Sequence, residues 1–281
     1  MPPSRPGLDM KAASLVEPIS GKPDFPDALG ALLMDHAASR YVEAQLAQVF
    51  DEFIAAFFGG DGGTVEIVEE FIHGFMLEHD QLDLPQGGST GTGGLLVVYL
   101  LARKLRPVVL VESGTFVGAS LHALRKGSPE AELWSFDVSF KPLRYRDDTI
   151  RYREHDWSLE PEPRAKSDRD FVFFDDHIDN AKRIVEAHER GFRYLLFDDA
   201  PTLAQIAAYR FPGVPTVPMI IDPQLPRLSL SWVHQDTWLR YDHDPERCRQ
   251  ARELIDLAAP VPNLRPASGL RAGDKWLVRL K

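Results

Sequence analysis

The sequence predicts an α/β protein: a doubly wound, mostly parallel sheet preceded by a helical N-terminal extension. Three observations carry that prediction. The first is the stretch VVLVESGTFVGAS at 108–120, where a continuous apolar run stops at Glu112 and passes directly into small residues. Apolar residues at 108–111, three of them Val, suit a strand covered on both faces, and Gly114 and Gly118 suit a tight turn into a helix. The second is the alternation of strand-like and helix-like segments that follows, the signature of a parallel sheet with helices on both faces. The third is that five successive strands end in acid: Glu112, Asp137, Asp156, the pair Asp175 and Asp176, and the pair Asp198 and Asp199. Ligands of open α/β sheets sit outside the carboxyl ends of the strands, so this row of acids marks the functional edge.

Taken in order, residues 1–25 hold five prolines and little periodicity, which reads as a flexible arm. Residues 26–85 form the helical extension. Leu29, Leu32, Leu33, Val42, Leu46, Val49, Phe50, Phe53, Ile54 and Phe57 recur at helical spacing, and Gly59 and Gly60 stop the run. A further helix begins near Thr64 and carries Val65, Val68, Phe71, Ile72, Phe75 and Met76. Such an extension covers a core, lids a site or forms a homo-oligomer contact. The loop QGGSTGTGG at 86–94 lacks the lysine of a phosphate-binding loop and reads as a lid. Residues 86–281 make the main domain. A helix at 95–105 leads into the 108–111 strand. A helix near 118–126 follows, then strands at 131–138, 149–157 and 170–176, a helix at 179–190, a strand at 193–200 and a helix near 201–210. Residues 211–270 read as an insertion, proline- and aromatic-rich over 211–245, with a helix near 245–258. KWLVRLK at 275–281 reads as the last strand.

Composition narrows the function. The 281 residues suit one large α/β domain with an extension. Against 42 acidic residues stand 32 basic ones, a formal charge of −10 without a long basic run, which argues against nucleic acid as partner. Cys248 is the sole cysteine, so no disulfide framework or cysteine metal cluster is expected, and a cytoplasmic setting fits best. The longest apolar run, 95–102, is too short for a bilayer, and no membrane association is expected. Neither G-x-G-x-x-G, a P-loop nor G-x-S-x-G is present, and nothing has the spacing of a zinc site.

The spacing Glu112-x-Gly114-x-x-x-Gly118 resembles the first motif of the class I S-adenosylmethionine-dependent methyltransferases. That resemblance implies a Rossmann-like sheet whose last strand is antiparallel. It also implies a cofactor site in which Glu112, Gly114 and Gly118 face the methionine part of S-adenosylmethionine, Asp137 binds the ribose hydroxyls and Asp156 meets the adenine, with Thr115 and Ser120 as further cofactor-binding residues. Trp157 either lies against the adenine ring or packs in the core. Three further carboxylates at strand ends could converge on a hard divalent cation. Here the chain is similar to the metal-dependent macrocin-type sugar O-methyltransferases. The implied metal ligands are Asp175, Asp198 and Asp199, with Mg²⁺ or a similar ion, and His177 stands where the general base would be. An unperturbed imidazole, with a pKa of ~6.5, suits that role. Many relatives have Asp-Gly-Asp where this chain has Asp175-Asp176-His177, which leaves Asp176 as the alternative ligand. His73, His79 and His155 read as structural. His234 and His243, with Trp232 and Trp238, either line an acceptor pocket or pack a loop. The implied activity is methyl transfer to a hydroxyl of a small molecule, a sugar or another natural product. A cofactor-binding module without catalysis and a different metal-dependent enzyme on the same sheet are the alternatives.

Overall fold

The structure is a computed structural model, which describes residues 36–60, 62–84 and 90–281. The expected arm at 1–25, Leu29, Leu32 and Leu33 of the first helix, and residues 86–89 of the loop expected to be a lid lie outside these residues; the end of that loop, from Gly91, is already the first turn of the helix that follows. A seven-stranded sheet organises the rest. Its strands are β1 (Val109–Ser113), β2 (Glu132–Phe136), β3 (Arg151–Arg153), β4 (Phe171–Phe174), β5 (Tyr194–Phe197), β8 (Ile255–Pro260) and β9 (Trp276–Leu280), in the order β3-β2-β1-β4-β5-β9-β8. The first five are mutually parallel, and β9 runs antiparallel to both of its neighbours. This is the expected Rossmann-like sheet, mostly parallel with its last strand antiparallel. Because β1 to β5 all point one way, their terminal acids come out along a single edge.

The period of two along each strand sorts side chains onto two cores. Leu110, Leu133, Phe171, Phe173, Leu196 and Leu277 face one side, where they pack with the helices α1 (His36–Phe58), α4 (Gly91–Leu105) and α5 (Ala119–Gly127). Between α1 and α4 lies a further helical run: α2 (Val65–Glu70), a π-helical turn at Phe71–Phe75 and α3 (Met76–Asp80). Its residues Val68, Phe71, Ile72, Phe75 and Met76 join the same core. α4 is sandwiched between the sheet and these N-terminal helices, which explains why 95–102 is apolar all round instead of striped. On the other face Val109, Val111, Phe136, Val172, Phe174 and Leu195 pack under α6 (Asn180–Glu189), α7 (Val217–Ile221) and α8 (Pro245–Leu254). Among the described residues, no helix is long and apolar enough to cross a membrane.

Three local expectations are corrected. The helix near 245–258 ends at Leu254, and Ile255–Pro260 are a sheet strand paired with β9. No glycine or proline separates the two elements, so nothing local marks the switch. The helix near 201–210 is only a turn of 3-10 helix at Ile206–Ala208. The strand at 149–157 pairs only over Arg151–Arg153. Within 211–245 the chain forms a hairpin of β6 (Leu228–His234) and β7 (Thr237–His243), turned by Gln235 and Asp236, both at positive φ. That is the mirror-image turn hairpins prefer, built here without the usual glycine.

Candidate active site

A cavity of about 630 Å³ opens at the carboxyl edge of the sheet, with Asp137, Asp175, His177, Asp198, Asp199 and Lys275 in its wall. Its floor is the turn after β1. Gly114 has φ +90°, and a Cβ there would overlap the backbone carbonyl of Asp175, so this glycine lets the ends of β1 and β4 meet. Gly118, also at φ +90°, begins α5, but a Cβ on it would lie 2.9 Å from Leu143 Cδ1. It serves the packing of the 143–145 loop and does not line the cavity.

Glu112, the last but one residue of β1, is fully buried on the face of the sheet that carries Leu110. Neither of its oxygens has a partner in good hydrogen-bond geometry, although the Ser120 and Thr115 hydroxyls lie beside it; burial outweighs their pull and pushes its carboxyl up to about 8. Thr115 and Ser120 are buried behind the wall, Thr115 with its hydroxyl 2.7 Å from that of Ser135. Asp137 reaches the cavity, but its carboxylate also braces the turn. Oδ2 accepts from the backbone N–H groups of Thr115 (2.8 Å) and Phe116 (3.0 Å), and Oδ1 from Ser139 (2.9 Å). Beside it Val138 is 80% exposed and Phe116 44%, so a carboxylate at the end of β2 is flanked by bare apolar surface.

Asp156 and Trp157 are placed differently from the cofactor contacts that the resemblance implies. The carboxylate of Asp156 is on the wall but caps a turn through Ser158 N–H and pairs with Arg183 at 2.6 Å. These hydrogen bonds outweigh burial and hold its carboxyl far below the usual range. Trp157 has no exposed surface; it packs on Phe174 and Phe192 with the Arg190 guanidinium over its ring. It is a core residue and cannot stack on a ligand in this arrangement.

The acids after β4 and β5 divide into two sets. Asp176 is consumed by structure: its Oδ2 accepts from Ser113 Oγ (2.6 Å) and Arg183 Nε (2.9 Å). Arg183, fully buried on α6, thereby ties the loops after β3 and β4 together. Asp175, His177 and Asp199 instead converge, each offering one ligand atom within 4.8 Å of the others. His177 Nδ1 lies 3.6 Å from Asp199 Oδ2. Of the two register alternatives, Asp175 is the one that faces the cluster. Asp198 stands apart. Its Oδ2 accepts from the buried Lys275 ammonium at 2.6 Å and from Thr90 Oγ1 at 3.0 Å. Burial, reinforced by the Asp198 charge, raises the carboxyls of both Asp175 and Asp199. Two carboxylates and an imidazole that converge on one point, the carboxylates crowded by one another and by Asp198, are a donor set that a divalent cation would relieve, so the residues fit such an ion. Three wall residues, Phe116, His177 and Asp199, have positive φ without being glycine, a concentration of backbone strain typical of binding sites.

Sequence reasoning missed Arg183 and Lys275. Each is a cation held beneath acids, and neither position advertises it: Arg183 follows Lys182 in the polar helix NAKRIVEAHE, and Lys275 stands just before β9. His234, His243, Trp232 and Trp238 do not line the cavity: Trp232 and His243 are buried and Trp238 is 77% exposed on the hairpin.

No protein-family model matches the sequence, and no curated protein matches it significantly. Among solved structures the chain is similar to an O-methyltransferase from Bacillus cereus in complex with SAH, at 17% identity and a TM-score of 0.41, over 85% of this chain and 100% of that one. It is likewise similar to the O-methyltransferase TomG from Streptomyces achromogenes, involved in tomaymycin synthesis and in complex with SAM, at 13% identity, a TM-score of 0.42, and 82% and 95% coverage. An SAH-bound methyltransferase from Podospora anserina gives 18% identity, a TM-score of 0.42, and 74% and 88% coverage. At these scores the likenesses decide nothing by themselves; strand order and site geometry describe the molecule.

Proposed function

We propose that the protein is an S-adenosylmethionine-dependent O-methyltransferase acting on a hydroxyl of a small molecule, a sugar or another natural-product acceptor. One observation carries this reading: a single cavity at the carboxyl edge of the sheet holds both a nucleoside-type wall and a cation-type cluster. Asp137, with a carboxylate edge beside Phe116 and Val138, suits a ribose and its base, and Gly114 lies on the same wall, where its backbone would meet the chain of the cofactor. When bound, the cofactor would supply the methyl group from its sulfonium, and Mg²⁺ or a similar ion would acidify the acceptor hydroxyl. Asp175 and Asp199 would hold that ion. His177, exposed on the rim with Asp199 beside Nδ1, would take the hydroxyl proton, a service typically worth ~10²–10⁴ in rate.

Calorimetric titration with S-adenosylhomocysteine against NAD and ATP tests the cofactor, and binding of S-adenosylhomocysteine alone is expected. Asp199→Ala should then lower kcat more than cofactor affinity, because Asp199 acts on the nucleophile. Full activity of that variant in EDTA would sink the metal part of the reading.

A further inference from the structure

Asp198 follows β5 beside Asp199 and lies on the same cavity wall, close enough for its charge to act on Asp175 and Asp199, yet it is not among the residues whose ligand atoms converge; its carboxylate is held by Lys275 instead. The lysine side chain is 1% exposed and that of Asp198 7%, with Nζ to Oδ2 at 2.6 Å. Both oxygens of Asp198 are occupied: Oδ2 by the ammonium and by Thr90 Oγ1, Oδ1 by the backbone N–H of Asp199 at 2.8 Å. The slot for the ammonium is built from absences. A Cβ on Gly94 in the first turn of α4, or on Gly273 before β9, would each stand 3.1 Å from Nζ. A Cβ on Gly93 would overlap the Arg271 carbonyl, so the same helical turn is seated against the loop that delivers the lysine. β5, β9 and α4 thus meet around one ammonium on the cavity wall.

We propose that Lys275 is a positioning residue of the cation site: it withdraws Asp198 from the ligand set, leaving Asp175 and Asp199 as its carboxylates, and sets a positive charge beside them that holds cation affinity down. This rests on the reading that the cavity takes a divalent ion. A cation site gains affinity with the number of charged ligands it offers and loses it to a fixed like charge nearby. Lys275 acts in both senses, and removing it should therefore tighten binding. A merely structural strut would give no such gain.

The test uses the full chain, with Mn²⁺ as probe and free Mn²⁺ read by electron paramagnetic resonance; S-adenosylhomocysteine affinity is measured by calorimetry on the same samples. Lys275→Met should bind Mn²⁺ about tenfold more tightly than the parent protein, since the positive charge is gone and Asp198 keeps only its hydrogen bonds from Thr90 and the Asp199 N–H. Because that variant leaves a buried carboxylate without its partner, Lys275→Met with Asp198→Asn provides a second measurement. The double variant replaces the pair by neutral groups and should bind Mn²⁺ within about threefold of the parent. Two results overturn the proposal: a folded Lys275→Met that binds Mn²⁺ no more tightly than the parent, including both being undetectable, or a double variant that loses more than about tenfold, which would make Asp198 a ligand. Failure of the parent to bind S-adenosylhomocysteine would instead overturn the methyl-transfer reading and leave the Mn²⁺ comparison intact.

Discussion

A carboxyl buried without a well-aligned partner is costly to ionise, and Glu112, beneath the turn after β1, is such a group. Its folded-state value of about 8 stands above the ordinary 4.5, so the unfolded chain releases its proton first as pH rises. The stability this group contributes is complete below about 4.5 and is lost progressively until about 8, at roughly 1.4 kcal/mol for each unit of separation. Glu112→Gln should flatten that part of the profile, as read by urea unfolding of the ligand-free protein at pH 5, 6.5 and 8. A profile as steep as the parent's would show that Glu112 is ionised in the folded state. At this scale the sequence was a good guide to position and a poorer one to role. The strand-end rule picked out every acid of the site, because a residue's place at the end of an apolar run is local information. What each acid does depends on partners distant in the chain. Asp156 and Asp176 are taken by Arg183, Asp198 by Lys275, and no spacing records those pairings. Trp157, beside Asp156 in sequence, turns into the core.

Elements hold the site through two devices, a glycine and an arginine. At Gly114 both the positive φ and the approach of the Asp175 carbonyl forbid a side chain. Gly114→Ala should therefore cost about 1–3 kcal/mol in stability and separate the β1 and β4 ends, with loss of S-adenosylhomocysteine binding measured by calorimetry. Unchanged binding in that variant would mean the turn is not part of the cofactor site. Arg183 is the second device. It is fully buried on α6 and reaches Asp156 and Asp176 as well as Glu186 on its own helix. Removing one partner of a buried ion pair leaves an uncompensated charge, so Arg183→Met should destabilise by about 3–5 kcal/mol, seen as a lower denaturation midpoint. A loss below about 1 kcal/mol, the scale of an exposed pair, would mean that water reaches these carboxylates. The elements themselves were legible where hydrophobic period and length agree, as in β1, β4, β5 and α6. They were not legible where structure changes without a stop signal. Leu254 to Ile255 passes from helix to strand with no breaker, and the Gln235-Asp236 turn makes a hairpin with residues that do not advertise one.

The whole molecule is organised so that the N-terminal helices and the sheet cannot be separated energetically. Phe50, Ile54, Phe71 and Phe75 share one cluster with Leu96 and Leu100 of α4 and with Leu110, Phe173 and Leu196 of the sheet. The sequence showed these helices to be amphipathic but not what their stripes face, since a stripe packs equally well on a core, a lid hinge or a second copy. In the structure the α2–α3 run buries its stripe against α4, with Phe71 and Phe75 on Tyr99, and α1 packs on that run and on the sheet, with Phe58 on Tyr194; α4 in turn carries Thr90, Gly93 and Gly94 to the site at its N-terminal end. That arrangement has a thermodynamic consequence. Were the extension an independent unit, truncating its core would create a separate low-temperature transition and leave the ligand-stabilised transition where it was. With a shared core, Phe71→Ala, at a position with no exposed surface, should cost about 3–5 kcal/mol and move the entire unfolding curve as one. Scanning calorimetry of Phe71→Ala with and without S-adenosylhomocysteine measures this directly. A single transition that the ligand shifts upward in both proteins is the expected result. Two transitions in the variant, only one of them ligand-sensitive, would mean that the N-terminal helices fold apart from the sheet they cover.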